Sequence, residues 1–268
     1  MTELVVTELW RYPVKSMAGN PVAALRFDNV GPEEDRRWMV VNTNGEFLSQ
    51  RRMPALGQFR AALLGQTLTV HAPSGDQYTL TPQDCTRQVM ISVWSDKVSA
   101  RLAPKVANQW LSEQVGETVF LVRYDNVNPR VMNPDYAQGH VGFADGFPLL
   151  ICHQDSLHHL NERSPVPLEM ERFRPNVVIS GGQPWEENSW LELLNERHRL
   201  AMVKPCERCA VITLKPGTTE RSPEVLKYLA AHSSRHGKPV FGQNAITLNP
   251  EEPLLLGEVL QATVTAPA

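Results

Sequence analysis

The most reactive side chains of this sequence are two cysteines in the segment Lys204-Pro205-Cys206-Glu207-Arg208-Cys209. Neighbouring positive charge stabilises a thiolate, and Cys206 has Lys204 and Arg208 on either side. Thiolates are nucleophiles, and they are also ligands for soft transition metals. The segment therefore predicts either a reactive thiol or a metal ligand at Cys206.

The spacing of the two cysteines leaves several interpretations open. A Cys-x-x-Cys pair can be half of a zinc site, but neither a second pair nor a histidine pair at finger spacing follows. It can be a redox dithiol, but that motif opens a long helix, whereas residues 210–214 are β-branched and apolar. It can supply one soft metal ligand from a loop. The remaining interpretation is that these are two ordinary cysteines near a β-turn with no chemical function.

Cations recur beside polar groups in three short segments. These are residues 12–16 (Tyr-Pro-Val-Lys-Ser), 35–38 (Asp-Arg-Arg-Trp) and 172–176 (Arg-Phe-Arg-Pro-Asn). Lys and Arg side chains bind phosphate groups through charge-assisted hydrogen bonds. Taken singly, each segment is also explained by a surface cation or a salt bridge at a strand end. No Walker-type loop and no Gly-x-Gly-x-x-Gly motif occurs in the sequence, which disfavours nucleotide binding of the usual kinds.

Short strands are the elements that must position these segments. The 21 prolines and 16 glycines divide the chain into short stretches. Several of these stretches alternate in polarity or are β-branched, which is typical of strands. The predicted strands are 5–10, 38–42, 67–71, 89–93, 119–122, 177–180 and 259–264.

Helices are predicted in fewer places. One covers residues 105–115 and ends at Gly116, and another covers residues 155–163, with Gln154 or Asp155 as its cap. A third begins after Ser222, which serves as cap before a proline at the first helical position. The apolar face of the first helix is predicted to consist of Val106, Trp110, Leu111 and Val115.

The composition is that of a globular protein with no strong charge bias. The formal net charge is −3 and the pI is near 6.3, so nothing predicts binding to nucleic acid or to an anionic membrane. No apolar run approaches the roughly 18 residues that a membrane-spanning helix needs, and the acidic N-terminus is unlike a secretory signal. Four cysteines are too few for a disulfide framework, which predicts a reducing, cytoplasmic location.

One stretch marks a candidate boundary between two subdomains. Residues 123–143 contain several asparagines, prolines and glycines and show little apolar periodicity. They are either a linker or an ordered loop that crosses from one subdomain to the other.

Taken together and in order, these segments resemble the MOSC family. The matching motifs are residues 12–16, 35–42 (Asp-Arg-Arg-Trp-Met-Val-Val-Asn), 173–181 (Phe-Arg-Pro-Asn-Val-Val-Ile-Ser-Gly), 204–209 and 241–244 (Phe-Gly-Gln-Asn), with residues 144–148 (Ala-Asp-Gly-Phe-Pro) as a further match. More narrowly, the chain is similar to the branch with an N-terminal β-barrel domain, which includes the mitochondrial amidoxime reducing component and its bacterial relatives. The resemblance covers nearly the whole chain.

The resemblance implies roles for individual residues. The first cysteine of the family's Cys-x-x-Cys ligates molybdenum, which assigns Cys206 to the metal and to catalysis and leaves Cys209 a supporting role. The residues that would bind molybdopterin by the same resemblance are Lys15, Ser16, Arg36, Gly146, Phe147, Pro148, Arg174 and Asn176. Asp145 and the polar loop over residues 123–140 would shape the substrate site.

The resemblance also implies a mostly β (α+β) fold. An N-terminal barrel-like domain over residues 1–120 would pack against a C-terminal MOSC β-barrel over residues 121–265, with a few peripheral helices. The cofactor ligands would then meet in the cleft between the two, a common location for small-ligand sites.

The implied activity is the two-electron reduction of N-hydroxylated compounds, namely amidoximes, hydroxylamines and N-hydroxylated purine bases, on a molybdenum–molybdopterin cofactor. At family level, pyridoxal phosphate binding is also associated with these domains. The sequence lacks the Cys-x₄-Cys-x₂-Cys spacing of a plant-type ferredoxin, so no iron–sulfur cluster is expected within it. Electrons would come from a ferredoxin-type [2Fe–2S] donor and a flavin reductase, with the donor either a separate protein or a domain beyond the Ala-Pro-Ala ending.

Two other functions are compatible with the same residues. MOSC domains also occur in molybdenum cofactor sulfurases, and a sulfur carrier would use a persulfide on Cys206. A non-catalytic cofactor-binding or scaffold protein would carry a structural Cys-x-x-Cys instead.

Overall fold

Strands dominate the protein, whose computed structural model describes residues 3–264. The Ala-Pro-Ala ending at residues 266–268 lies outside the described residues. The strands of the first half are β1 (Glu3–Arg11), β2 (Asn20–Pro21), β3 (Ala24–Leu25), β4 (Phe27–Asp28), β5 (Gly31–Pro32), β6 (Trp38–Val41), β7 (Arg60–Leu64), β8 (Thr67–His71), β9 (Gln77–Leu80), β10 (Arg87–Val93), β11 (Asp96–Leu102) and β12 (Phe120–Tyr124).

The second half continues the same pattern. Its strands are β13 (Arg130–Val131), β14 (His140–Val141), β15 (Leu149–His153), β16 (Val177–Ser180), β17 (Trp190–Leu194), β18 (Arg199–Glu207), β19 (Ser234–Arg235), β20 (Lys238–Thr247), β21 (Leu254–Leu255) and β22 (Val259–Val264). The α-helices are α1 (Lys105–Val115), α2 (Gln154–Asn161) and α3 (Pro223–His232). Short 3₁₀ turns cover Pro54–Gln58, Pro82–Asp84, Met170–Arg172, Glu186–Asn188 and Ala210–Thr213.

A closed barrel of seven strands organises the second half. Its order is β15-β16-β1-β22-β17-β18-β20, and β20 pairs back onto β15. The pair β15–β16 is parallel, and the neighbouring pairs are antiparallel. Strand β1, from the start of the chain, lies between β16 and β22. Because the barrel closes, its seven strands leave no open edge.

Alternation along the strands separates two cores. Ile151 in β15, with Val177 and Ile179 in β16, belongs to one buried apolar cluster, whereas Cys152 and Val178 belong to another. Successive side chains of a strand point to opposite faces, so these clusters lie inside and outside the barrel wall. The outer cluster is covered by α2 and α3, which contribute Leu157, Leu160, Val225 and Leu229.

Besides the two-stranded pair β4–β5, the first half contains two smaller sheets. One has the order β10-β11-β12-β6 and the other the order β7-β8-β9. Helix α1 buries Ala107 and Leu111 in a core with Trp38. The mostly β class is therefore confirmed. The boundary between residues 120 and 121 stays a prediction; β12, at that boundary, pairs with β6 and β11 of the first half.

The helices agree with the sequence patterns except at the cap of α2, at its end, which is Asn161 rather than residue 163, and in one face of α1. Helix α1 has the predicted bounds and ends at Gly116, whose φ of 78° is the left-handed conformation that glycine adopts without strain. The predicted cap of α2 is wrong, because His153 precedes the helix. Ser222 precedes α3 and Pro223 is at the first helical position, as predicted, but the Ser222 side chain makes no capping hydrogen bond. Val106 is 64% exposed rather than part of the buried face.

The face of α1 is rotated because a polar residue is buried. Asn108 is 5% exposed; its amide donates to the Ala103 carbonyl, and its side-chain oxygen accepts from the Leu121 amide. These bonds tie α1 to β12 and satisfy the buried polar atoms. Apolar periodicity alone could not indicate this, since it assigns polar residues to the solvent side.

Residues 123–143 form an ordered loop rather than a linker. Strands β13 and β14 pair within it. The buried Arg130 guanidinium donates to Asp96 and to the carbonyls of Gly142, Ala144 and Asp145, at distances from 2.6 to 3.2 Å. Arg130 therefore fixes the approach to residues 145–148.

No helix among residues 3–264 is long and apolar enough to cross a bilayer.

Candidate functional site

Two backbone segments of the first half are joined by hydrogen bonds at the site. The Lys15 amide donates to the Trp38 carbonyl at 2.7 Å, and the Arg36 amide donates to the Tyr12 carbonyl at 2.7 Å. The Tyr12 amide donates to the Asp35 carboxylate at 2.8 Å. Segments 12–16 and 35–38, which are separate in the sequence, therefore form one structural unit.

The segment before β16 joins this unit through an arginine. One guanidinium nitrogen of Arg36 donates to the Asn176 side-chain oxygen at 2.9 Å, and the other donates to the Arg174 carbonyl at 3.1 Å. The guanidinium carbons of Arg36 and Arg174 each lie 4.3 Å from the ring centroid of Tyr12. Such cation–π contacts hold two like charges beside one buried ring.

Three of the predicted cofactor-binding residues have strained backbones. Ser16, Arg36 and Arg174 have φ values of 74°, 47° and 58°. Residues other than glycine rarely adopt positive φ, and each instance costs about 1 kcal/mol or more. Such strain concentrates at functional sites, because there the surrounding structure fixes the geometry that a ligand needs.

The thiol of Cys206 lies next to a guanidinium. Arg208 donates from one terminal nitrogen to the Cys206 Sγ at 2.9 Å and from the other to the Phe173 carbonyl at 2.7 Å. Cys206 was predicted in a loop; it lies instead near the end of β18, where the register with β20 shifts between Pro205 and Glu207. Bulges of this kind re-aim side chains beside active sites. All four cysteines are free thiols, and Cys209 is exposed.

An ion pair links Lys15 to the loop that Arg130 fixes. The buried Lys15 ammonium donates to the Phe143 carbonyl at 2.7 Å and to the Asp145 carboxylate at 2.5 Å. Desolvation acts to raise the pKa of Asp145, but the Lys15 charge outweighs it and lowers the pKa to about 2. Because the Asp145 side chain is 75% exposed, the ion pair with Lys15 affects the pKa of Asp145 more than burial does.

A single cavity collects nearly all of the predicted residues. Cys206 and the predicted cofactor-binding residues line it, with the exception of Pro148. Pro148 is buried against Gly31, where any β-carbon would overlap the proline ring, so it supports the loop from behind. Sequence reasoning missed further lining residues that belong to no motif: Phe47, Gln50, Arg51 and Trp94.

The charge of the cavity suits an anionic ligand. Among residues 3–264, no carboxylate lies within salt-bridge distance of Arg174 or Arg208. Burial lowers the pKa of Arg174, but only to about 10. Arg174 therefore stays protonated at neutral pH. For the Ser16 hydroxyl, the described residues offer no hydrogen-bond partner. Unpaired cations and a free hydroxyl are what a phosphate group requires.

The donor set also fits a pterin–molybdenum group. Cys206 offers one soft sulfur ligand, and the cations offer partners for a phosphate. No group of three or more His, Cys, Asp or Glu side chains within residues 3–264 could hold a metal ion by itself. A metal held here by Cys206 would therefore need further ligands from a cofactor.

Comparison with known proteins identifies two domain families in the chain. The model of the MOSC N-terminal β-barrel domain matches residues 3–118, and the model of the MOSC domain matches residues 138–261. Mitochondrial amidoxime-reducing component 1 of Homo sapiens is 30% identical over 266 residues, which cover 91% of this chain and 79% of that protein. Human component 2 is 30% identical over 225 residues, 80% of this chain and 67% of that protein.

A second group of relatives is much longer. A molybdenum cofactor sulfurase of Oryza sativa is 28% identical over 267 residues, which cover 90% of this chain. This chain spans only 32% of that protein. The similarity therefore concerns one part of the sulfurase.

Proposed function

Because the chain belongs to the family of MOSC-domain proteins with an N-terminal MOSC β-barrel domain, we propose that it is a molybdenum-cofactor-dependent reductase of N-hydroxylated compounds. The observation that carries the proposal is the convergence of Cys206, Arg208 and the cations of three separate segments on one cavity. The 30% identity to the human amidoxime-reducing component over 91% of the chain supports it. The proposed substrates are amidoximes, hydroxylamines and N-hydroxylated purine bases.

The cofactor, when bound, supplies the two-electron chemistry that converts an N–OH group, two electrons and two protons into N–H and water. The protein residues bind and orient it. Cys206 provides the thiolate ligand, and the Arg208 guanidinium orients the sulfur and balances its charge. Arg174 and the Ser16 hydroxyl would hold the phosphate together with Lys15 and Arg36, whose ion pairs with Asp145 and Asp35 fix their positions.

The loop over residues 144–148 would close one side of the site. Gly146 and Phe147 line the cavity, and the carbonyls just before them accept from Arg130. Asp145 remains ionised over the whole neutral range, because Lys15 holds its pKa near 2. In this proposal the carboxylate keeps Lys15 in place rather than donating a proton.

The electron donor is proposed to be a ferredoxin-type [2Fe–2S] protein that a flavin reductase reduces. The four cysteines of the sequence do not have ferredoxin spacing, so these residues do not ligate such a cluster. The four free thiols are compatible with the cytoplasm, which is the proposed location. No nucleic-acid or membrane partner is proposed.

Turnover with an artificial donor tests the proposal. Cofactor-loaded protein, reduced methyl viologen and benzamidoxime should yield benzamidine, and Cys206→Ala should lose this activity. Cys209→Ala is the matched control, because Cys209 lines the same cavity but its exposed thiol is not the proposed metal ligand, so turnover should stay within about twofold of wild type. A loaded wild-type protein that reduces no amidoxime, hydroxylamine or N-hydroxylated base would refute the reductase.

The second candidate is a sulfur carrier that uses a persulfide on Cys206. The half-buried thiol beside a guanidinium favours it, as does the similarity to the rice sulfurase. Mass spectrometry of the purified protein separates the two functions. A Cys206 persulfide without pterin supports sulfur transfer, whereas pterin with an unmodified Cys206 supports the reductase.

A further inference from the structure

Two aromatic rings of the first half line the cavity and belong to none of the motifs that supply the proposed cofactor ligands. Trp94 and Phe47 pack edge to face, with ring centroids 4.8 Å apart. Both line the cavity that contains Cys206. Phe47 borders the proposed phosphate site, because the Lys15 ammonium lies 5.3 Å from its ring centroid. Trp94 packs against Phe47 beside that site.

The backbone of Trp94 is strained. Val93 and Asp96 pair at the ends of β10 and β11, so Trp94 is the first residue of a two-residue hairpin loop. Its φ is 56°. Two-residue hairpins favour glycine or asparagine at this position, and a bulky residue there is an outlier. A tryptophan at this position therefore costs stability that glycine would not cost.

Packing does not explain this cost. Trp94 remains 48% exposed. Trp185, which also has a positive φ, packs against the buried Phe241 in the outer core cluster. The contacts of Trp94 are the Phe47 ring and the Arg51 guanidinium, which lies 5.2 Å from the Trp94 ring centroid. These contacts orient the ring at the cavity but bury only about half of it.

We propose that Trp94 is the specificity-determining residue of the site. Its ring offers a stacking surface for a planar aromatic group that carries the reducible N–O bond, so aromatic amidoximes are preferred over aliphatic ones. Base or ring stacking on a protein aromatic contributes about tenfold or more in affinity. This inference rests on the proposed reduction. The reaction itself is unchanged: the amidoxime N–O bond takes up two electrons from reduced viologen and two protons, and amidine and water form.

The test compares benzamidoxime with acetamidoxime in cofactor-loaded protein. Trp94→Gly should lower kcat/KM for benzamidoxime about tenfold and leave that for acetamidoxime within about twofold, while Trp94→Phe keeps most of the preference. His236→Gly is the matched control, because His236 is an exposed hairpin residue with a φ of 50° that does not line the cavity. If Trp94→Gly does not fold, Trp94→Asn takes its place, since asparagine also suits this loop position.

Equilibrium binding of both amidoximes, measured by calorimetry without reductant, separates this inference from the proposed function. If wild type reduces neither compound but Trp94→Gly selectively loses about tenfold in benzamidoxime affinity, the reductase fails and the role of Trp94 stands. An equal loss for both compounds, an unchanged ratio, or no benzamidoxime binding to wild type would overturn the role of Trp94.

Discussion

At the scale of single residues, the site is a set of charges whose partners are fixed by the backbone. Arg208 is the clearest case, because its two terminal nitrogens bind different groups, the Cys206 sulfur and the Phe173 carbonyl. A planar guanidinium can hold both at once, whereas a lysine ammonium has no such fork. The orientation of the Cys206 thiol is therefore predicted to depend on the planar, forked shape of the Arg208 guanidinium as well as on its charge.

Replacing Arg208 should impair the enzyme even when the charge is kept. We expect Arg208→Lys to lower kcat by about tenfold and Arg208→Gln by about a hundredfold, the range seen for partners of metal ligands. The measurement is steady-state reduction of benzamidoxime, normalised to molybdenum content. Arg199→Gln is the control on the same strand, since the Arg199 side chain is exposed and forms an ion pair with Glu192. Equal activity of Arg208→Lys and wild type would contradict the claim that the guanidinium must bind the Cys206 sulfur and the Phe173 carbonyl at the same time.

The strain at Ser16 predicts opposite effects on stability and binding. Ser16→Gly should raise the unfolding free energy of cofactor-free protein by about 1 kcal/mol, because glycine accepts the φ of 74° without cost. The same change should lower pterin retention, because the hydroxyl is lost. Ser16→Ala is the control, since it removes the hydroxyl but keeps the strain. Thermal unfolding measures the stability of each variant, and pterin fluorescence measures its pterin retention. A Ser16→Gly protein less stable than Ser16→Ala would refute the strain argument.

At the scale of elements, buried polar contacts join two strands of the barrel to the 3₁₀ turn at Glu186–Asn188. His153, at the end of β15, lies 3.3 Å from the buried Glu187 carboxylate and 2.7 Å from the Gly181 carbonyl. Burial acts to lower the pKa of His153, but the hydrogen bond and charge of Glu187 outweigh it, so the pKa is raised. These contacts join β15, β16 and the turn before β17.

This pair predicts a pH dependence of stability. A raised folded-state pKa means that the contribution is fully present below the ordinary pKa near 6.5 and is lost as pH rises through the folded value. We expect the unfolding free energy to fall through this pair as pH rises above about 6.5, and His153→Gln to remove that part of the slope. Denaturant titrations measure it, with the exposed His159→Gln on α2 as control. An unchanged slope in His153→Gln would contradict the assignment.

Elements with local patterns were predictable, whereas those defined by distant pairing were not. Strands β8, β16 and β22 and helix α1 have the predicted bounds, because alternation and a terminal glycine are local signals. Strands β17, β18 and β20 carry mixed polar residues and had no such signal. The buried Asn108 and the anchoring Arg130 were missed because their partners are distant in sequence. Phe47 and Trp94 were missed because they belong to no motif and lie beside the cavity only in the folded chain.

At the scale of the whole molecule, the two halves of the chain are interlocked. Strand β1 from the first half completes the barrel of the second half, between β16 and β22. The cavity draws on both halves, with Lys15 and Arg36 from one and Arg174 and Cys206 from the other. The motifs could predict that these residues belong together, but no local pattern indicates that β1 crosses into the barrel.

The interlock predicts that the second half does not fold alone. A fragment of residues 121–265 lacks β1, so it would leave β16 and β22 with open edges and the inner cluster without Leu4, Val6 and Leu9. We expect it to be unfolded or aggregated by circular dichroism and size-exclusion chromatography. Fusing residues 3–11 to the fragment through a flexible linker should restore soluble, folded protein. A fragment that folds cooperatively without this strand would contradict the interlock.

The most direct test of the central claim is the molybdenum and pterin content of protein freshly isolated from molybdenum-supplied cells. Wild type and Cys209→Ala should contain close to one molybdenum and one pterin per chain. Cys206→Ala should lose molybdenum while keeping part of its pterin, because the cations proposed to bind the pterin phosphate remain. Wild-type protein that contains neither molybdenum nor pterin, from cells that fill other molybdoenzymes, would contradict the account; so would a Cys206→Ala protein with full molybdenum content.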